Sequence, residues 1–441
     1  MQIVKNNGII FLFEYWNIRN SEKHLRYTKF LIAAIVAAFY ILALVVDRAA
    51  GVLYALLLLI SLILLIGRKY PADKSFVQLM KDYWPLSLAM CAPLIAVFAN
   101  QAASGNFLGR TYDPPFRLAM FALVFWIISF LPIKYMKHVQ WAIVIGAFLS
   151  AIKIYILTGG GARRYGTDFI PIIIFAEMAL LLGLFSVFSI AWNKTGNKVG
   201  IFIKFAALCA GLYVAYLSQS RGVWLTIPVF IALAFLIAKN IPASYKLSVV
   251  VFFVILIGGV SHYGQIVKER VSVAESDMTQ YSGGENIDTS LGIRLQLWQG
   301  SWVLFTEHPV FGVGVEGFPK ALEELAERKL ISPLAATFPH SHNEVLFMMS
   351  RLGLFGLFAL LALYFVPAYY FLRDIRNNDH EIRYTAGMGV ALCLGFVVLG
   401  LVDVVFLWWE IYPYYVLSIA FFLTYIMKCK KLPKEEQPIN S

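Results

Sequence analysis

Charged side chains are scarce in this sequence. They make up 14% of 441 residues, against 60% hydrophobic, and the mean hydropathy is +0.71. That balance excludes a soluble enzyme built on one core and belongs to a polytopic membrane protein. Cysteine is scarcer still. Cys91, Cys209 and Cys393 sit in apolar runs and Cys429 follows the last of them, so no disulfide framework is expected. No cleavable leader is expected: a long polar stretch precedes the first apolar run, and no small-residue cleavage site follows it. There is no Walker lysine loop and no Gly-x-Gly-x-x-Gly after a strand, which removes the usual nucleotide-binding signals. Internal repeats and low-complexity tracts are absent too. The net charge of +11 therefore reports membrane orientation first, and no nucleic-acid partner is expected.

What the chain does have is long apolar runs. Twelve spans are expected, at 27–46, 49–67, 83–100, 116–133, 139–157, 169–192, 199–218, 222–238, 246–260, 352–372, 384–406 and 411–427. The predicted fold class is an all-α polytopic membrane protein of about 12 transmembrane helices with one long helical periplasmic loop. Lysine-rich connections (Lys69, Lys74, Lys134, Lys137, Lys194, Lys198, Lys428, Lys430, Lys431) place both termini in the cytoplasm. The chain then divides into a bundle of nine spans over 1–260, a periplasmic loop domain over 261–341, and three spans with a cytoplasmic tail over 342–441. Within the loop, Leu291, Arg294, Leu297, Trp298, Ser301, Leu304 and Phe305 recur at helical spacing, and 319–330 reads as a charged amphipathic helix. The glycine-rich 282–286 stretch between expected helices suggests a flexible joint, and the whole loop a lid on the outer face.

The outer side departs from what orientation alone requires. Its short loops and helix ends hold arginine and no lysine: Arg48, Arg110, Arg117, Arg163, Arg164, Arg221 and Arg351. For any one of these, snorkelling to lipid headgroups is the plainer account. Arginine, however, offers a planar, permanently charged fork that grips phosphate oxygens in pairs. Arg163 and Arg164 after a triple glycine, and Arg221 in Ser218-Gln219-Ser220-Arg221-Gly222, point to an anionic group held at the membrane surface, such as a pyrophosphate on a polyprenyl lipid. The nearest outer acidic pair, Glu275 and Asp277, is a poor cation site, so no metal and no cofactor is expected. Charge on a departing pyrophosphate then falls to the arginines.

The chain turns from this loop back to the membrane at Pro339-His340-Ser341-His342-Asn343-Glu344. Alone, a His-x-His pair can simply decorate a loop. Here Ser341 and Glu344 have the spacing of a capping box, which predicts a helix starting at His342. An imidazole in that first turn faces the positive end of the helix dipole, which disfavours imidazolium and suits a general base.

Together, Ser220-Arg221-Gly222 with Trp224, Gly292-x-Arg294…Trp298…Pro309-Val310-Phe311-Gly312-Val313-Gly314…Phe318, and His342-Asn343…Leu346…Gly353…Gly356 resemble the O-antigen ligase/polymerase superfamily of bacterial inner-membrane glycosyltransferases. The stretch from Arg163 to Phe175 is a weaker match, closest to the ligases. The resemblance implies a GT-C-like helical fold and no cofactor. It implies an undecaprenyl-pyrophosphate-linked glycan as donor and, for a ligase, a sugar hydroxyl of lipid A–core as acceptor. It makes His342 the catalytic base with His340 beside it. It matches Arg221, beside Ser220, to the Ser-Arg-Gly arginine and Arg294 to a loop arginine; with Arg163, Arg164, Arg110 and Arg117 from the outer-arginine bias, these are the expected pyrophosphate and donor residues. Direct displacement by the acceptor hydroxyl inverts the anomeric centre.

Three other readings compete. A polysaccharide polymerase of the same superfamily shares the donor chemistry but elongates another lipid-linked glycan. A protein O-oligosaccharyltransferase transfers the glycan to protein. A lipid or solute transporter, a different class, would use Lys153 and Lys204 within spans as pathway residues, although no repeat symmetry supports it.

Overall fold

The computed structural model describes residues 25–67, 75–162, 165–193, 197–238, 265–283 and 286–431. Every regular element among them is helical. In chain order they are α1 (Leu25–Leu42), α2 (Ala49–Ile66), α3 (Phe76–Asp82), α4 (Trp84–Ser104), α5 (Asp113–Ala119), α6 (Phe121–Ile128), α7 (Ile133–Thr158), α8 (Ile172–Phe188) and α9 (Lys198–Leu217). There follow α10 (Arg221–Trp224), α11 (Thr226–Ile237), α12 (Gln265–Gly283), α13 (Ser290–Glu307), α14 (Phe318–Glu327), α15 (Pro333–Ala336), α16 (Glu344–Leu372), α17 (His380–Gly400) and α18 (Ile411–Lys431).

Among the described residues, nine helices are long and apolar enough to cross a membrane: α1, α2, α4, α7, α8 with its 3-10 extension, α9, α16, α17 and α18. The chain is an all-α polytopic membrane protein. Of the other three expected spans, 246–260 lies outside the described residues. The run at 116–133 is divided between α5 and α6, and that at 222–238 between α10 and α11. Pro228 accounts for the second division, because it has no N–H to close a helical turn onto the Trp224 carbonyl.

The core is centred on α8, α17 and α18, which are buried along most of their length. Where α8 crosses α9, a Cβ at Gly183 would come within 2.9 Å of the Ala207 carbonyl, and one at Gly211 within 2.8 Å of the Ala179 carbonyl. These glycines allow backbone-to-backbone contact, the usual device where lipid provides no hydrophobic drive between helices. The two lysines within spans are tied to helix ends. Lys153 Nζ donates to the Val45 carbonyl at 2.7 Å and lies 4.3 Å over the Phe169 ring. The Lys204 ammonium donates to Gln140 and, at 2.9 Å, to the Ser189 carbonyl. Each cation thus meets carbonyls just past a helix C-terminus, where the macrodipole favours positive charge.

The connection between α11 and α16 brings its own small core. Leu297, Leu304, Phe318, Leu322 and Leu325 pack together with Phe347 of α16 and Val404 of the turn after α17. Phe318 meets Phe347 edge to face at 5.1 Å. The expected helices at 290–305 and 319–330 are present as α13 and α14, and they are fastened to α16 rather than hinged above it. Of the expected flexible stretch, Ser282 and Gly283 end α12, while 284–285 lie outside the described residues.

A second fastening breaks α16 itself. Gly353 has φ 61 and ψ −146, and a Cβ there would come within 2.3 Å of the Val310 carbonyl. Only glycine suits that backbone and that approach. Around the break, Leu354 N–H donates to the Pro309 carbonyl at 2.8 Å, and Val313 and Gly314 N–H groups reach the Ser350 and Arg351 carbonyls at 2.9 Å. The 309–314 turn therefore supplies the hydrogen bonds that the interrupted helix lacks.

Candidate functional site

The sequence between the histidines folds differently from a capping box. The helix starts at Glu344, and Asn343 is its N-cap, with Oδ1 accepting from Leu346 N–H at 3.0 Å. Ser341 is buried and donates from Oγ to the Asn343 carbonyl at 2.8 Å. Glu344 turns away from its own helix and accepts from the backbone N–H groups of Val405 and Phe406. The expectation of a helix beginning at His342 is thereby corrected. Asn is a strong cap, and placing it at 343 leaves His342 ahead of the helix, with φ 50. A left-handed backbone is uncommon for a residue with a Cβ, and such strain is held where surrounding contacts impose it.

Those contacts come from the turn after α17. Asn343 Nδ2 donates to the Leu401 carbonyl at 3.1 Å, so the cap residue also joins the two chain segments. His342 Nδ1 lies 3.3 Å from Asp403 Oδ1. The same oxygen accepts from Val404 N–H at 2.8 Å, which fixes the carboxylate. His342 N–H points at His340 Nδ1, at 3.3 Å, and the two rings meet edge to face at 4.3 Å. Phe338 and Phe347 close the ring cluster.

The hydrogen bonds assign the tautomers. His342 donates its Nδ1–H to Asp403, which leaves the Nε2 lone pair free to take a proton. His340 accepts at Nδ1 and so carries its proton on Nε2, where it can donate. Burial, reinforced by the neighbouring His342 and Arg294, pushes the His340 imidazole down to about 4, so it is neutral at physiological pH. At Asp403, burial acts to raise the carboxyl. The hydrogen bond and electrostatic interaction with His342, together with Val404 N–H, outweigh it and hold the group below its usual range. A fixed carboxylate behind an imidazole is the arrangement that orients a general base and steadies the imidazolium it becomes.

The same three side chains each offer a donor atom, all within 4.8 Å of one another, so a cation could be gathered there. The Nδ1 atoms of both rings are already used in the hydrogen bonds above. Only Nε2 of each ring is left for a metal.

Arg294 of α13 stands next to this cluster, half buried and without a hydrogen-bond or ion-pair partner among the described residues. Burial lowers its guanidinium from the usual value, and Arg221 adds to that, while Asp403 and Asp277 oppose it. Arg221 and Arg294 thus lie within electrostatic range of one another. Gly222 helps to bring Arg221 in: a Cβ there would come within 2.7 Å of Val402, next to Asp403, and within 2.9 Å of Ile173. Gln219 (φ 54) turns the chain just before. Ser220 is buried, with its Oγ on the Ser218 carbonyl at 3.3 Å, and serves that turn.

The other arginines singled out in the sequence are placed elsewhere. Arg110 forms a two-pronged ion pair with Glu316, and Arg117 pairs with Asp113 at 2.8 Å and stacks over Trp409. Arg163 and Arg164 lie outside the described residues. The sequence reading missed Asp403, which fell inside the expected 384–406 span. A lone carboxylate in an otherwise apolar run was the available signal.

Comparison with known proteins places the chain near one family. The profile of a family described as O-antigen ligase matches residues 205–361, which include Arg221, Arg294, His340 and His342 but stop short of Asp403. The chain is a multi-pass membrane protein that resembles the O-antigen ligase superfamily. The O-antigen ligase of Escherichia coli (strain K12) is 28% identical over 247 residues, 55% of this chain and 55% of that protein. A Haemophilus influenzae protein named only as uncharacterized is 24% identical over 379 residues, 84% of this chain and 91% of its own length.

Proposed function

We propose that this protein is an O-antigen ligase of the bacterial inner membrane. It transfers a glycan from undecaprenyl pyrophosphate to a sugar hydroxyl of lipid A–core at the periplasmic face. The observation that carries the reading is His342, held by Asp403 with a free Nε2, beside the unpaired fork of Arg294. His342 Nε2 takes the proton of the acceptor hydroxyl as its oxygen attacks the anomeric carbon. His340 Nε2–H orients that hydroxyl. The bond to the pyrophosphate breaks on the opposite face, and Arg294 with Arg221 meets the charge that develops there. The anomeric centre is inverted. The Phe338 and Phe347 rings against the imidazoles limit water, the competing nucleophile.

The test is ligation by purified protein given lipid-linked glycan and lipid A–core, with and without EDTA. The expected product is glycan joined to lipid A–core, formed equally in both conditions. Elongated lipid-linked glycan would make the protein a polymerase. Loss of activity in EDTA, restored by a divalent cation, would turn His340, His342 and Asp403 into metal ligands.

Sidedness is tested separately, in a background with the four native cysteines replaced. Gly283 and Asn378 are both exposed. A cysteine at 283 is expected to react with a membrane-impermeant thiol reagent in spheroplasts, and one at 378 only after lysis. The opposite pattern would invert the topology and place the histidines in the cytoplasm.

A further inference from the structure

A groove of about 500 Å³ lies between the end of α4 and the 311–317 turn, away from the histidines and arginines of the cluster. It is within the size range of small-ligand sites. Its walls are fixed. Asn100 Nδ2 donates to the Phe311 carbonyl at 2.7 Å. Gln101 is held at both ends, donating to Thr111 Oγ1 at 2.6 Å and accepting from Leu108 N–H at 3.0 Å. Phe311 stacks on Phe355 at 5.3 Å with the rings nearly parallel.

The groups that remain available are of one kind. Asn100 Oδ1 faces Gly314, where a Cβ would lie 3.7 Å away, and has no partner among the described residues. The Asn106 side chain is exposed along the rim, and Phe311 is 37% exposed. At the mouth, Arg110 and Glu316 cancel in their ion pair. Side-chain amides both donate and accept, as sugar hydroxyls require, and an aromatic face suits the apolar side of a sugar ring. A neutralised mouth gives no advantage to an anionic headgroup, and the lining mixes apolar side chains (Leu108, Phe311, Val315) with amides, as the two faces of a sugar ring do.

We infer that this groove binds the oligosaccharide of the acceptor. The inference rests on the ligase reading for the identity of that glycan. The acceptor is favoured over the donor glycan because of where the groove lies. Its walls come from α4, the turn at 105–108 and the turn at 311–317, and it shares no lining residue with Arg221 or Arg294. In a displacement the attacking hydroxyl enters away from the leaving pyrophosphate. Val313, on the groove wall, is hydrogen-bonded to Ser350, six residues into α16, which is about 9 Å of helix from the root of the imidazole loop. A bound oligosaccharide running along that distance presents one hydroxyl to His342 while its neighbouring sugars occupy the groove.

Ala103 is exposed on the groove wall and belongs to none of the packed core clusters. Ala103→Trp fills the groove. The expected result is an acceptor KM raised about tenfold or more, with donor KM and kcat within about twofold, the signature of lost uniform binding. Asn106→Ala, a milder change, is expected to move acceptor KM in the same direction, and the elution profile of both variants checks folding. Independently of turnover, de-acylated core oligosaccharide is mixed with detergent-purified protein and its saturation-transfer NMR signal recorded. The signal is expected with the wild-type chain and lost with Ala103→Trp. A raised donor KM instead would assign the groove to the donor glycan. Unchanged kinetics and unchanged NMR contact in a folded variant would remove the inference and leave the ligase reading standing. Absence of ligation by the wild-type chain, with core oligosaccharide still bound and displaced by the tryptophan, would remove the ligase reading and leave the glycan site.

Discussion

His342→Ala is expected to reduce ligation about 10²–10⁴-fold, the usual cost of removing a general base. The protein should still reach the membrane in normal amount, because without the His342–Asp403 contact the fastening of α16 to the turn after α17 keeps the hydrogen bonds of Asn343 and Glu344. His340→Ala is expected to cost less. Its Nδ1 supports the His342 backbone and its Nε2–H positions a hydroxyl, but it takes no proton. His340→Asn should recover part of the loss, since an asparagine Oδ1 can also accept from His342 N–H. Complementation of a deletion strain at matched expression, read as full-length lipopolysaccharide, checks the order. A normal ladder from His342→Ala with none from His340→Ala would exchange the two roles. Full activity from both would end histidine base catalysis in this protein.

The carboxylate behind the base has a separate signature. Asp403 Oδ1 accepts from both Val404 N–H and His342 Nδ1–H. Asparagine can keep its oxygen in that place, so Asp403→Asn preserves the tautomer and loses only the charge that steadies imidazolium. Alanine loses both, and the more severe defect belongs to it.

Apolar periodicity and the lysine bias made the membrane class and most of the span positions readable, because hydrocarbon thickness and charge asymmetry act on sequence directly. Breaks were less readable. Pro228 could have announced the division before α11. The positive φ of Gly353 follows from the 309–314 turn docking on it, which no local pattern reports. The capping box at Ser341 and Glu344 failed for a related reason. Its spacing was right, but Asn343 competes as the stronger cap and Glu344 is drawn to the free N–H groups at 405 and 406. Asp403 lies sixty-one residues after His342. Only folding brings them together, and a single acid in an apolar run does not name its partner. The arginines show the same limit. No pattern in the sequence separates the paired forks from the others, and the contacts divide them: Arg110 and Arg117 have carboxylates, whereas Arg294 lies beside the imidazoles with no ion-pair partner among the described residues.

That division sets the second large effect. Arg294→Lys keeps a positive charge but replaces a planar fork with a single ammonium, which cannot hold two phosphate oxygens in one plane. The half-buried position adds to the loss, because a lysine there gives up its proton more readily than an arginine. Removing one preorganised donor to a developing charge costs about 10²–10³-fold in turnover. Arg294→Lys is therefore expected to lower kcat by that order while donor KM changes little, and Arg221→Lys to behave alike. Arg328→Lys serves as the control, since Arg328 is an exposed partner of Glu307 with no part in the cluster. Steady-state ligation with donor and acceptor varied in turn separates the parameters. A rise in donor KM alone would make Arg294 a ground-state anchor for the pyrophosphate. An Arg294→Lys protein with full kcat at normal abundance would show that the leaving charge is met elsewhere, and the reading of the unpaired fork beside His342 would fall with it.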